Sequence, residues 1–544
     1  MDLPMFKDRI IYQIYPLSFK DSNNDGVGDL NGIISKLPYL KSLGIGIIWL
    51  SPIYDSPMHD NGYDIRDYYK INPLFGTMED FDNLIKKANE LDIKIVMDLV
   101  INHTSNEHIW FKEALKDPKS KYRNYYIFKE GKNGKVPNNW QSAFSGSCWE
   151  KVQNEDNMYY LHLYTKEQPD LNYKNEEVIK EVENILRFYL DKGVYGFRCD
   201  VINQIYKTSL KNGKFRFFGR GKEYYESQPG NHKILKRLED EVIKKYNAFL
   251  VGETSNVTIK VGNEFLSNGE LDMFFEFEHS FCDENKLIPI FKKKFKPKNL
   301  IKPIFKWQLG VPWIGVYLEN HDQRRSVSRF IDPHFYKEGA KALSMFLLTL
   351  KGTIFIYQGE EIGMTDYKNY TYSLLNDCAS ISTIKTAMKL LHISQNKAFN
   401  LVNSTINRDH ARSIMQWDNS INAGFNNGTK TWIKVNDNYK DGINVHNEEK
   451  DDDSILSFYK QMISFRNNSL TLKVGDFIKV KSNKNVAKFI RKDQDHELLI
   501  IVNLSNKKIK DKDVINSKNI LINTHNVINN KKLLPYQGLI INRK

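Results

Sequence analysis

The sequence predicts an α/β chain built as a (β/α)8 TIM barrel, with a subdomain inserted after the third strand and a C-terminal antiparallel β-sandwich domain. Three observations carry this expectation. Short runs rich in β-branched and aromatic residues recur eight times between longer amphipathic segments, the alternation that yields a parallel sheet covered by helices. Most of these runs end in or beside polar or charged residues, and a barrel of this kind carries its chemistry at the carboxyl ends of its strands. From about Leu472 the pattern changes to short alternating strands.

The eight runs are residues 10–15, 46–50, 93–100, 195–199, 248–251, 271–277, 315–318 and 353–357. They lead into Asp98 and His103, Asp200, Glu253, Glu278 and His279, His321 and Asp322, and Gln358 and Glu360. Two gaps are too long for a simple crossover helix. Residues 104–172 are aromatic and rich in Gly and Asn, with a strand signal at 159–164, and are read as a subdomain over a cleft. Residues 364–454 form a second insertion, helical over 384–400. The barrel is thus expected from 1–103 and 173–470. The C-terminal domain, 471–544, has strands at 486–491, 497–504, 519–523 and 538–542.

The 544 residues are too many for one ordinary core. Aromatic residues make up 12%, more than most cores require, and a sugar-binding cleft would use the excess. The net charge of +13 raises the question of an acidic partner, but the lysines are scattered and no groove-reading motif accompanies them. No nucleic-acid or membrane partner is expected, and a monomer is. The four cysteines, at 148, 199, 282 and 378, form no close pair, which points to free thiols in a reducing compartment. Residues 1–7 lack a signal pattern and no run reaches the ~18 apolar residues of a membrane span, so a cytoplasmic location is expected.

Retaining glycoside hydrolysis needs one carboxylate to attack the anomeric carbon and one carboxylic acid to protonate the leaving oxygen. Asp200 and Glu253 end neighbouring strands and supply such a pair. Arg198, two residues before Asp200, projects to the same side and favours its ionised form. Asp322, after the seventh strand, is a third carboxylate suited to the flattened sugar ring. A single acid at a strand end is more often a loop cap or ion-pair partner. A whole set of acids, arginine and histidines converging on one barrel mouth is catalytic in character. Separately, Asp21, Asn23, Asp25, Val27 and Asp29, with Gly26 at the sixth position, have the spacing of a loop around a hard cation, with Val27 offering its carbonyl. A structural Ca²⁺ is expected there, and no organic cofactor; an Asx-rich turn without metal uses the same residues.

At these residues the sequence resembles the α-amylase superfamily, glycoside hydrolase family 13, in its oligo-1,6-glucosidase and α-glucosidase group. The likeness lies in the segments 98–103, 196–203, 252–254 and 319–323, with the Gln168-Pro169-Asp170-Leu171-Asn172 motif marking the group. It implies Asp200 as nucleophile, Glu253 as acid/base and Asp322 as transition-state stabiliser. It further implies that Arg198, His103 and His321 bind the sugar, that Asp98 orients Arg198, and that Asp60, Tyr63 and Arg412 close the pocket around a terminal glucose. Phe144 looks like a second aromatic wall beside Tyr63. Val201, after the nucleophile, is associated by resemblance with α-1,6 bonds. The implied activity is that of an exo-acting α-glucosidase on terminal α-1,6 and some α-1,4 bonds. Trehalose-6-phosphate hydrolysis and sucrose hydrolysis or isomerisation are the alternatives within the family. A non-catalytic transporter-associated barrel would lack the acids and carry an anchor. Arg324, His410 and Ser413-Ile414 depart from the family's pattern, and Arg324 is expected to add charge at the cleft rim.

Overall fold

The computed structural model describes residues 3–216, 218–285, 290–515, 519–525, 527 and 532–544; Met1 and Asp2, within the stretch read for a signal, lie outside them. Eight parallel strands form the barrel: β1 (Ile11–Ile14), β2 (Ile47–Leu50), β3 (Lys94–Leu99), β4 (Gly196–Cys199), β5 (Phe249–Glu253), β6 (Met273–Phe275), β7 (Gly315–Val316) and β8 (Thr353–Tyr357). Each overlaps one of the eight predicted runs. They pair in the order β6-β5-β4-β3-β2-β1-β8-β7. β6 and β7 are neighbours without a hydrogen-bonded ladder. Side chains stitch this seam: the Tyr317 hydroxyl donates to the Glu276 carbonyl at 3.0 Å and lies 3.0 Å from the Ser280 hydroxyl.

Side chains alternate along a strand, so one residue in two points into the barrel. Ile47, Trp49, Val96, Phe249, Val251 and Phe275 belong to the apolar plug that fills it. Two residues further along each strand, the same period places Asp98 beyond Val96, Arg198 beyond Gly196 and Glu253 beyond Val251. The plug thus becomes the floor of the site. Gly196 is small for a reason: a Cβ there would lie 2.5 Å from the Phe249 carbonyl oxygen and 2.6 Å from its ring.

The crossover helices are α1 (Leu30–Leu43), α2 (Met78–Glu90), α3 (Glu176–Asp191), α4 (Pro229–Glu241), α5 (Ile259–Ser267), α6 (Pro297–Gly310), α7 (Tyr336–Thr349) and α8 (Ile455–Asn467). Local signals bound them. Asp29 caps α1 by accepting the Gly32 N–H, and Gly44, at φ +89°, ends it. Thr77 and Asp80 form a capping box on α2, whose Phe81, Leu84, Ile85 and Ala88 face the core.

The segment after β3 carries a three-stranded antiparallel sheet of Phe128–Glu130, Met158–Leu161 and Trp149–Lys151, with Met158–Leu161 central. The Trp140 indole N–H donates to the Lys211 carbonyl at 2.8 Å and ties this unit to the loop after β4. After β8, helices Cys378–Leu391 and Gln395–Asn403 are capped by Asp377 and Ser394.

The C-terminal strands are antiparallel, as their alternation predicts, but among the described residues they make one sheet and no facing second one. β9 (Asp476–Lys479), β10 (Val486–Lys492), β11 (Glu497–Asn503), β12 (Ile520–Asn523) and β13 (Gly538–Asn542) pair in the order β9-β10-β11-β13-β12. In place of the expected sandwich partner, one face packs on the barrel helices, where Phe489 meets Phe305 of α6 at 5.6 Å. The other face is covered by Ile509, Val514 and Leu533. The buried Arg491 donates to the Thr349 carbonyl, and Arg466 donates to those of Leu348 and Leu350, satisfying acceptors that the end of α7 leaves open. Among the described residues no helix is long and apolar enough to cross a membrane.

Candidate active site

Arg198 stands at the centre of the barrel mouth. Its Nη1 lies 2.7 Å from both Asp98 Oδ1 and Asp200 Oδ1, and its Nη2 lies 2.7 Å from Glu253 Oε2. Glu253 Oε2 also accepts the Val201 N–H at 3.0 Å. Val201 holds φ +38°, a left-handed conformation that a β-branched residue adopts only at a cost.

Burial raises the pKa values of all three acids, and Arg198 opposes it. Asp98 and Asp200 are pushed up to about 6. Glu253 is pushed up to about 8, with repulsion from Asp200 and Asp322 adding to its burial. Near pH 7 Asp200 is therefore mainly ionised and Glu253 mainly protonated. A hydrogen bond from Glu253 then favours the Asp200 carboxylate.

Asp322 answers to a second cationic group. Its Oδ1 lies 2.9 Å from Arg412 Nη2 and 3.2 Å from Arg408 Nη1. Against the upward pull of burial, these guanidiniums hold it well below the usual carboxylate range. Burial in turn pushes His321 down to about 3, so the imidazole is neutral. Its ring nitrogens meet Gln13 Nε2 and the Tyr63 hydroxyl, each at 2.8 Å. The Tyr63 and His321 rings stack 5.3 Å apart, and the Tyr63 hydroxyl donates to Asp98 at 3.0 Å. His103 is buried beside them, 3.0 Å from the Tyr63 carbonyl and 3.1 Å from Gln168 Nε2.

The sequence-predicted residues Asp60, Tyr63, Asp98, His103, Phe144, Arg198, Asp200, Val201, Glu253, His321 and Asp322 are thus linked through one mouth. Arg412 is placed differently from the expectation: it is fully buried against Asp322 and the His321 carbonyl. The guanidinium that reaches Asp60 is that of Arg408, at 3.1 Å, and it also pairs with Asp377 at 2.6 Å and covers the Phe144 ring at 5.2 Å. The sequence reading passed over Arg408, although its place one helical turn before Arg412 was a signal. Asp64 was missed too; it accepts the N–H groups of His59 and Asp60, each at 3.0 Å, and so shapes the loop that presents Asp60. Arg324 does not project its charge into the cleft rim. Asp366 and the Ser404 carbonyl hold its guanidinium.

A cavity of about 810 Å³ opens from Val201, Glu253 and Asp322 toward Phe218, Phe281 and Leu390. The Asp21–Asp29 loop lies elsewhere, at the start of α1. There Asp21 accepts the N–H groups of Asn23, Asn24 and Gly26, Asn23 that of Asp25, and Asp25 that of Val27. The Val27 carbonyl accepts none among the described residues. Three carboxylates, an amide oxygen and this carbonyl are the donor chemistry of a hard cation. No three Asp, Glu, His or Cys side chains are grouped as metal ligands among the described residues.

Replacing Arg198 by Leu should leave three buried acids without their cation. We expect a loss of about 3–5 kcal/mol at pH 7 in denaturant unfolding. The loss should shrink at pH 5, because a carboxyl with a raised folded pKa destabilises as pH climbs from its unfolded value of about 4 to its folded value, and most of that climb lies above pH 5.

The description "Alpha amylase, catalytic domain" matches residues 13–475. The chain is 43% identical to the oligo-1,6-glucosidase of Parageobacillus thermoglucosidasius, over 93% of this chain and 92% of that one. It is 40% identical to the trehalose-6-phosphate hydrolase of Bacillus subtilis, over 92% and 90%. The isomaltulose synthase crystal structure from Protaminobacter rubrum superposes with a TM-score of 0.94 at 35% identity, covering 100% of both chains. Matched along most of its length and built around the same kind of barrel, the chain belongs to the α-amylase family of glycoside hydrolases, family 13.

Proposed function

We propose that the protein is an exo-acting, retaining α-glucosidase that cuts terminal α-1,6 bonds of short oligosaccharides and some α-1,4 bonds. The observation that carries this reading is the single Arg198 guanidinium joining an ionised Asp200 to a neutral Glu253. Double displacement asks for that division of protonation states. Asp200 attacks the anomeric carbon as Glu253 passes its proton to the leaving oxygen; the C1–O bond breaks and a β-glucosyl ester forms. Glu253, now a carboxylate, takes a proton from water, which adds to C1 and frees Asp200. Asp322, held ionised by Arg408 and Arg412, offsets the positive charge that gathers on the sugar ring.

The Asp60–Arg408 pair, with Phe144 beside it, walls off the glucose end, and a walled end favours exo-action. The α-1,6 preference is supported by the relatives named oligo-1,6-glucosidase and by Val201, whose branched side chain narrows the leaving-group side. A difference of one methyl there is worth only about 1–3 kcal/mol, so the preference is graded. Lys389 favours one second reading, hydrolysis of trehalose 6-phosphate: it lines the outer cleft and has no ion-pair partner among the described residues. The four cysteines are free thiols, in keeping with the cytoplasmic location we propose. Every group used comes from one chain, so a monomer suffices. We propose further that the loop of Asp21, Asn23, Asp25, Val27 and Asp29 takes a structural Ca²⁺ through its oxygen donors.

The test is a panel of isomaltose, panose, maltose, sucrose, trehalose and trehalose 6-phosphate. Isomaltose or panose should give the highest kcat/KM, and Asp200→Ala should lower turnover at least about a thousandfold with the circular dichroism spectrum unchanged. A higher kcat/KM for trehalose 6-phosphate would select the second reading. The kcat/KM profile should be bell-shaped. The carboxyl pair gives an acid limb near 6, where Asp200 gains a proton, and an alkaline limb near 8, where Glu253 loses one; a flat profile between pH 5 and 9 would contradict the assignment. Added Ca²⁺ should raise the melting temperature and EGTA lower it, whereas an unchanged melting curve would remove the metal.

A further inference from the structure

A second hollow, of about 360 Å³, shares no lining residue with the cavity at the barrel mouth. It lies in the subdomain inserted after β3, and its size is within the ~300–1,000 Å³ of small-ligand clefts. Helix Ile109–Lys116 contributes Phe111 and Leu115, the strands Trp149–Lys151 and Met158–Leu161 contribute Glu150 and Tyr160, and the flanking segments contribute Asn106 and Lys166. The floor is apolar and packed. The Phe111 and Tyr160 rings, both buried, meet edge-to-face at 5.0 Å, and Leu115, 39% exposed, opens to solvent.

The polar groups around this floor are uncommitted. Asn106 Oδ1 is buried and accepts no hydrogen bond among the described residues, a costly state for an acceptor. The Glu150 carboxylate and the Lys166 ammonium have neither a hydrogen-bond nor an ion-pair partner among the described residues. A ligand that suits the hollow must therefore donate to Asn106 and Glu150, accept from Lys166 and lay an apolar face on the floor. A hydroxyl both donates and accepts, and a pyranose sets several hydroxyls around C–H faces that pack on such side chains. A multiply charged ligand would be repelled by Glu150 or by Lys166; an uncharged sugar is repelled by neither.

We propose that this hollow is a second sugar site, separate from the catalytic one, and that it takes a free hexose. The site itself needs no glycosidase chemistry; only the choice of glucose as its hexose, the product of the reaction above, rests on the α-glucosidase reading. The hollow and the glucose end are two sides of one pair of segments. The Asn106 N–H donates to the Glu167 carbonyl at 2.7 Å, and on the same segments His103 and Gln168 meet at 3.1 Å in the barrel mouth.

Glucose is the probe. Crystals soaked in it should show one hexose against Asn106 and Lys166, besides any in the barrel mouth, and equilibrium dialysis with radiolabelled glucose should count two per chain. In the double variant Asn106→Ala, Lys166→Ala the hollow should bind at least about tenfold more weakly, so that one glucose per chain remains, while the isomaltose kcat/KM stays within about twofold of the parent. Lys166→Ala alone, changed at an exposed position that the fold does not need, should already weaken the hollow at least about threefold. A soak that leaves only water at Asn106, or variants that still bind two, overturns the second site. If the parent binds one glucose, the double variant also binds one and isomaltose is cut, only the second site falls. If the parent binds one, the double variant none and isomaltose resists, the second site stands and the α-glucosidase reading falls.

Discussion

One buried guanidinium serves three carboxyl groups. Asp98, Asp200 and Glu253 all reach Arg198, which has almost no solvent contact. Taking such charges out of water costs several kcal/mol per ion, and only close pairing offsets it. With one cation for three acids the balance is incomplete, and the structure resolves the deficit by protonation: Glu253, which also feels Asp322, keeps its proton, and Asp200 gives its up. The asymmetry between Asp200 and Glu253 thus arises from burial, which one shared cation offsets only in part and which repulsion from Asp200 and Asp322 deepens at Glu253.

The second cationic group shows the opposite balance. Arg408 and Arg412 both reach Asp322, and that carboxyl stays ionised despite its burial. Arg408 spends its remaining donors on Asp60 and Asp377. One side chain therefore connects Asp322 with Asp60. In the reaction proposed above, substrate recognition and charge stabilisation would share a link through it.

Barrel strands are buried on both faces, so they stand out as unbroken apolar runs, and their polar ends mark the site; this is why Asp98, Arg198, Asp200, Glu253 and Asp322 were legible from the residues. The period of two even places Arg198 and Glu253 above the plug. Partners brought together by the insertion after β8 were not legible. Arg408 meets Asp60 across 348 positions of chain, and no local pattern announces that encounter. Arg324 was misplaced for the same reason, since Asp366 and the Ser404 carbonyl claim it. In the C-terminal unit, alternation identifies strands but does not count sheets. There the second layer is made by helices and by residues such as Ile509 and Leu533, and β9 is too short to show a period.

The unpaired seam between β6 and β7 has a consequence for how the cleft yields. Elsewhere around the ring, parting two staves means breaking a row of main-chain bonds at once. Here the Tyr317 and Ser280 hydroxyls, edge-on rings and the Arg329–Asp283 ion pair span the join in place of a ladder. The loop bearing Phe281 rises directly from this join. The flank of the mouth that carries Phe281 therefore sits where the barrel has the fewest main-chain ties, while the strand that leads into Asp200 is laced on both sides, to β3 and to β5.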